Sequence, residues 1–247
     1  MYNDFASVYD KLQDTDYNKF VRYYEKIFKK FGKKPSLVLD LACGTGNITI
    51  PMAERGYDMI GIDLSCEMLN FARMKAQDKK QNILFLNQDM TDFELYGTVD
   101  AIVCALDGVN YLTGKKDLDK LFSLAENYLN PGGIMIFDIN SEYKLSTVLG
   151  DNTFVYEEDD IYYIWKNKYS KRTRICSFEL NFFRRQNNGS YQRFDEFQQE
   201  KAYSISEISK AAEKAKLSLE GFYKPFGFTT ASDTDERIFF VISKKMG

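Results

Sequence analysis

The sequence predicts an α/β protein: a mostly parallel, seven-stranded sheet with helices on both faces, carrying a small inserted antiparallel β-subdomain. Three observations predict it. Short apolar runs alternate with helical segments from residue 37 to about 140, as βα units require. Residues 152–202 then turn rich in aromatic and β-branched side chains and poor in helix signals. After them come one capped helix and two closing strands.

The elements follow in order. Asp16-Tyr17-Asn-Lys-Phe-Val-Arg-Tyr-Tyr-Glu-Lys-Ile-Phe28 has helical apolar spacing at Phe20, Tyr24, Ile27 and Phe28, and Phe31-Gly32 closes it. Leu37-Val38-Leu39 reads as a buried strand, followed by Asp40-Leu-Ala-Cys-Gly-Thr-Gly46 and then a helix from Ile48 to Glu54. A strand running into a glycine turn and a helix is a nucleotide-binding junction, because small residues admit a ligand close to the backbone and the helix start offers unpaired N–H groups.

Asp58-Met-Ile-Gly-Ile-Asp63 reads as a second strand ending in an acid, 23 residues after Asp40 and 17 after Gly46. Such an acid suits the two hydroxyls of a ribose. Ile83 to Asp89 reads as a third strand ending in an acid, Val99 to Asp107 as a fourth, and Asn130-Pro-Gly-Gly as a turn into a fifth strand ending at Asp138. Each aspartate also has a plainer reading. Asp63 near Ser65 and Asp89 near Thr91 suit helix caps, and for any one alone the cap is favoured; for the set at βα spacing, the ligand reading is favoured.

These motifs together resemble motif I and its downstream acids in the class I S-adenosylmethionine-dependent methyltransferases, over roughly residues 37–140. The family's first glycine is Ala42 here, and the pattern reads Asp40-x-Ala42-x-Gly44-x-Gly46. The dinucleotide fingerprint G-x-G-x-x-G fits less well, since Thr49 stands where its third glycine belongs. The resemblance implies a Rossmann-like fold and S-adenosylmethionine as cofactor. Asp40, Ala42, Cys43, Gly44 and Gly46 would hold its amino-acid end, Asp63 the ribose, and Asp89 with Met90 the adenine; Leu64, Met68 and Leu106 would flank it. In small-molecule members an N-terminal aromatic segment folds over the cofactor. This makes Tyr9 a candidate contact, the alternative being that Phe5, Val8 and Tyr9 only dock the first helix.

Composition narrows the chemistry. The chain has 247 residues, 44% hydrophobic and 28% charged, with net charge −3, which suits a globular protein and argues against a generally basic nucleic-acid binder. No apolar run reaches the roughly 18–20 residues of a membrane span, and Met1 to Ser7 shows no signal segment. A cytoplasmic protein is expected. Cys43, Cys66, Cys104 and Cys176 are scattered without metal-like pairing, so free thiols and no metal are expected. There is no histidine, which removes histidine-based nucleophilic triads, histidine zinc ligands and a histidine base. Methyl transfer tolerates that, since alignment of nucleophile, methyl and sulfur dominates and orientation can contribute on the order of 7–11 kcal/mol.

The domain organisation expected is a cofactor-binding domain of residues 1–151 and 203–247 with 152–202 inserted, as a lid or an oligomer contact. Within the insertion, Asp160–Lys168, Arg174–Phe183 and Tyr191–Gln198 read as antiparallel strands, with a hairpin turn at Asn187-Asn-Gly189. Tyr191, Phe194 and Phe197 break period two, which suggests a bulge or a twist. Ser204-Ile-Ser-Glu207 starts a helix through about Lys216, and Ser218–Lys224 and Arg237–Ser243 close the sheet.

Asp107, Tyr111 and Asp138, at the tips of the fourth and fifth strands, are the candidates to position or deprotonate an acceptor. Asp107-Gly108 as a simple turn and Asp138 as a loop cap are the plainer readings. The expected partner is a small-molecule methyl acceptor, with the protein a monomer or homodimer. RNA or protein methylation, a non-catalytic S-adenosylmethionine-binding protein and an NAD oxidoreductase are the rivals. Lys166, Lys168, Lys171, Arg172 and Arg174 form a basic cluster with Trp165 and Tyr169, but Glu157, Glu158, Asp159 and Asp160 dilute it, and a solvated strand face is favoured over an RNA contact.

Overall fold

The computed structural model describes residues 9–10 and 15–246. The expectations for Phe5 and Val8 lie outside them. Helix α1 (Tyr17–Lys30) begins at Asp16, whose carboxylate accepts from the Lys19 N–H. It is followed by β1 (Leu37–Leu41), α2 (Thr49–Ala53), β2 (Asp58–Asp63), α3 (Cys66–Asp78), β3 (Leu84–Asn87), β4 (Val99–Cys104), α4 (Asp117–Tyr128) and β5 (Leu129–Asn140). The inserted strands are β6 (Thr153–Glu158), β7 (Ile161–Ser170), β8 (Ile175–Arg185) and β9 (Tyr191–Lys201). Helix α5 (Ile205–Lys214), β10 (Leu217–Tyr223) and β11 (Arg237–Lys244) close the chain.

The main sheet runs β10-β11-β5-β4-β1-β2-β3, with β11 antiparallel to both of its neighbours and the other pairs parallel. Its strands are apolar on both faces because both are covered, as a doubly wound sheet demands. Successive β5 side chains alternate. Ile134 and Ile136 join Phe20, Tyr24 and Ile27 of α1 in one core, while Met135, Phe137 and Ile139 join Leu121 and Phe122 of α4 and Ile208 of α5 in the other. The reversal in strand order between β4 and β2, at β1, opens a crevice at the carboxyl ends of the strands.

Several boundaries differ from the sequence reading. The third strand stops at Asn87, so Asp89 lies in a turn where its carboxylate accepts from the Thr91 N–H at 2.7 Å. Asn130–Gly133, expected as a turn, belongs to β5 and is taken up as an irregularity in its register with β4 between Val99 and Ala101. The insertion has four strands rather than the three expected. Strand β6 is an edge strand with almost no burial, so it carries no apolar pattern to betray it.

No bulge interrupts β8–β9; the register is continuous from Ile175↔Lys201 to Arg185↔Tyr191. Period two fails for the aromatics of β9 because the inward positions are Phe194, Glu196, Gln198 and Glu200, of which only the first is aromatic. The turn at Gly189 (φ +82°) and the Ser204–Glu207 capping box form as expected. No helix among the described residues is long and apolar enough to cross a membrane.

Candidate active site

The turn after β1 is built from left-handed backbone. Ala42, Gly44 and Gly46 have φ of +54°, +55° and +79°. Ala42 therefore accepts a conformation that costs an L-residue about 1–2 kcal/mol, which glycine would avoid. A Cβ built on Gly44 meets nothing within 4 Å, whereas one on Gly46 would stand 3.1 Å from Ile50 Cδ1 and 3.3 Å from Ala72 Cβ. Gly44 thus leaves room for a ligand, and Gly46 lets the turn pack on α2 and α3.

Asp63, at the tip of β2, ties two loops together. One oxygen accepts from the Gly44 N–H at 2.8 Å and the other from the Ser65 N–H at 2.8 Å. Its carboxyl is pushed up by burial, with those N–H groups opposing the shift. The cap of α3 is Ser65, not Asp63, since Ser65 Oγ accepts from the Met68 N–H. Asp40 is 1% exposed, and burial pushes its carboxyl up to about 7 despite a 2.6 Å hydrogen bond from the Thr49 hydroxyl. An acid held in that state suits a cationic ligand group, which would favour its ionised form.

One cleft of about 790 Å³ collects most of the expected residues. Tyr9, Asp40, Ala42, Cys43, Gly44, Asp63, Leu64, Met68, Asp89, Met90, Leu106 and Tyr111 all line it. Asp10 fastens the N-terminal side of the cleft to the glycine turn, accepting from the Thr45 hydroxyl at 2.6 Å, Asn47 Nδ2 at 2.8 Å and Lys75 Nζ at 2.8 Å.

Gly46, Asp107 and Asp138 do not line it. Asp138 is fully buried; its two oxygens accept from the N–H groups of Leu106 (2.9 Å) and Asp107 (3.1 Å), and Arg237 donates to it as well. Arg237 Nη2 also donates to Asp107 Oδ1 at 2.7 Å. Leu106 and Asp107 are consecutive left-handed residues (φ +54° and +55°), and this pairing is what holds them there. Asp107 and Asp138, expected to position or deprotonate the acceptor, thus meet Arg237 and, through Asp138, the N–H groups of the turn that presents Leu106.

Sequence reasoning missed the far wall. Glu196, Phe197, Gln198 and Gln199 of β9 line it, with Glu196 and Gln198 on the inward face of the strand. Tyr111 Oη donates to Gln198 Oε1 at 3.0 Å. Glu196 is 8% exposed; burial raises its carboxyl above the usual range, with a Gln198 hydrogen bond opposing. Below it, Asn140 Nδ2 donates to Glu200 Oε2 at 2.7 Å and Lys144 Nζ donates to Asn140 Oδ1 at 2.8 Å, tying the insertion to the tip of β5. The signal was present in the sequence as the failure of aromatic period two. The basic cluster does not gather into a groove, because Arg174 pairs with Glu207 at 2.5 Å and Lys166 lies opposite Glu179.

A doubly wound sheet with an antiparallel last strand, a left-handed glycine turn after β1 and an acid at the tip of β2 defines an enzyme class that binds an adenosine-bearing cofactor at the carboxyl ends of its strands. A family model described as a methyltransferase domain matches residues 38–133. The chain is 36% identical to the putative methyltransferase YqeM of Bacillus subtilis, over 99% of this chain and 97% of the relative. It superposes on the crystal structure of an S-adenosylmethionine-dependent methyltransferase from Clostridium acetobutylicum with a TM-score of 0.90 and 34% identity, covering 99% of both chains. Over 55% of its length it is 30% identical to a dTDP-3-amino-3,4,6-trideoxy-α-D-glucopyranose N,N-dimethyltransferase of Streptomyces venezuelae, covering 56% of that relative. The chain belongs to the S-adenosylmethionine-dependent methyltransferases, and its cofactor is S-adenosylmethionine.

Proposed function

We propose that this methyltransferase acts on a small-molecule acceptor held between the turn after β4 and strand β9. The observation that carries the reading is that β9 closes the cleft on the side away from Asp63 and Asp89. At about 790 Å³ the cleft falls in the range of roughly 300–1,000 Å³ typical of small-molecule sites. The dTDP-amino-sugar methyltransferase of Streptomyces venezuelae is consistent with an acceptor of that scale. In the proposed organisation residues 152–202 supply the acceptor wall of a domain formed by 1–151 and 203–247. The four free thiols fit work in the reducing cytoplasm.

The geometry of the cleft supports the cofactor assignments. Asp40 and the backbone of 42–46 take the amino-acid end, where Gly44 leaves open space. Asp63 takes the ribose, and Asp89 with Met90 the adenine, with Leu64, Met68 and Leu106 alongside. Bound there, S-adenosylmethionine supplies a methyl group on a cationic sulfur whose departure leaves a neutral thioether. The chain contributes alignment and exclusion of water. Asp138 and Arg237 fix the Leu106 turn, Asp10 fixes the glycine turn, and Tyr9 and Tyr111 cover the path between the two ligands.

Calorimetric titration with S-adenosylhomocysteine, with NAD as control, tests the cofactor site. Transfer of labelled methyl to a dialysable product, compared with transfer to bulk RNA and protein, tests the acceptor class. Label retained only in macromolecules would overturn the small-molecule reading.

A further inference from the structure

The charged side chains of the described cleft lining are mostly acidic. Asp40, Asp63, Glu67, Asp89, Asp117 and Glu196 line the cleft, against Lys120 as the one lysine and no arginine among the described lining residues. Arg237, beside the β4 and β5 tips, is paired with Asp107 and Asp138. Such a wall attracts cations and repels phosphates, each of which would bring about 1.5–2 negative charges. Three of the acids are accounted for by the cofactor assignment. Glu196 is not: it stands on the opposite wall, nine-tenths buried, on an inward position of β9. Its carboxylate accepts from Gln198, and the positive charge of the chain's N-terminal amine also acts on it; no lysine or arginine ion pair reaches it among the described residues. A carboxylate buried so, at the acceptor side of a methyltransferase cleft, has the chemistry of an ammonium receptor.

Resting on the methyl-transfer reading above, we propose that the acceptor is an amine carrying no phosphate, and that Glu196 of the inserted sheet binds its nitrogen. The dTDP-amino-sugar relative acts on a nucleotide-linked amine; among its described lining residues this cleft offers no guanidinium for a pyrophosphate and takes the free amine instead. The docked ammonium gives up one proton, and the nitrogen lone pair forms the new N–C bond as the C–S bond breaks. The bonding pair of that C–S bond stays on the sulfur, the methylated ammonium forms, and the released proton passes to solvent. Gln198 beside Glu196 supplies a neutral hydrogen-bonding group to the rest of the acceptor, and Tyr111 orders it.

The test is calorimetric titration of the full chain, saturated with S-adenosylhomocysteine, with ethanolamine, glucosamine and spermidine, and with phosphoethanolamine and glucosamine 6-phosphate. We expect saturable binding of at least one amine, and binding of its phosphorylated counterpart, where there is one, weaker by about tenfold or more. Glu196→Gln should weaken the amine by about tenfold or more, Glu196→Asp should keep part of the affinity, and both should bind S-adenosylhomocysteine as the parent does, which also verifies their fold. Absence of saturable binding by every amine overturns the proposal, as does tighter binding of a phosphorylated member or a Glu196→Gln variant that binds amines normally. Failure of the parent to bind S-adenosylhomocysteine is a separate result and removes the cofactor assignment beneath it.

Discussion

The Tyr111 hydroxyl donates to Gln198 Oε1 at 3.0 Å, across 87 residues of chain, and so joins the turn after β4 to the inserted sheet at the mouth of the acceptor side. Tyr111 lines the cleft, and its phenol is pushed well above the ordinary value by burial and then by Glu200, Asp107, Tyr9 and Glu196. It is a neutral donor at any working pH. Tyr111→Phe should lower kcat/KM for the acceptor by about three- to tenfold, the worth of one hydrogen bond, and leave S-adenosylhomocysteine affinity unchanged by calorimetry. A matching loss of cofactor affinity would place Tyr111 on the cofactor instead.

Asp63→Ala should weaken S-adenosylhomocysteine binding by roughly tenfold or more while far-ultraviolet circular dichroism stays that of the parent. Two effects add. The ribose loses its acceptor, and the Gly44 and Ser65 N–H groups lose the carboxylate that sets their loops. Unchanged affinity would remove Asp63 from the site.

Asp40 couples folding to pH. Its carboxyl rises from 3.8 to about 7 on burial. Between those values the folded chain keeps a proton that the unfolded chain has lost, so this group's contribution to stability falls as pH rises through the window, by roughly 4 kcal/mol in all. The melting temperature of the ligand-free protein should therefore drop between about pH 4 and about pH 7, and Asp40→Asn should lessen that drop. S-adenosylhomocysteine affinity should rise over the same range, because its ammonium favours ionised Asp40. A flat affinity profile would separate Asp40 from the amino-acid end.

Arg237→Met leaves Asp138 fully buried beside Asp107 without a cation. Breaking one side of a buried ion pair costs about 3–5 kcal/mol, readable as a lower urea midpoint with the slope preserved. The Leu106–Asp107 turn should loosen as well, so cofactor affinity falls alongside stability. A variant as stable as the parent would show that the triad contributes nothing to holding the strained turn.

What the sequence determined by itself was everything encoded locally. The βα alternation fixed the sheet, because strands covered on both faces must be continuously apolar. The turn at 40–46 and the acids at 63 and 89 were legible because a glycine turn and a strand-ending acid are defined by neighbours along the chain. Only the tertiary structure decided the other wall of the cleft. Glu196 and Gln198 are separated from Tyr111 by more than eighty residues, and on an isolated strand two polar residues at inward positions look like broken alternation rather than a binding face. It also decided that Asp107 and Asp138 pair with Arg237. Their partner Arg237 arrives on the antiparallel last strand, about a hundred residues beyond Asp138 in the chain, and no local pattern announces a contact made by the closing of a sheet.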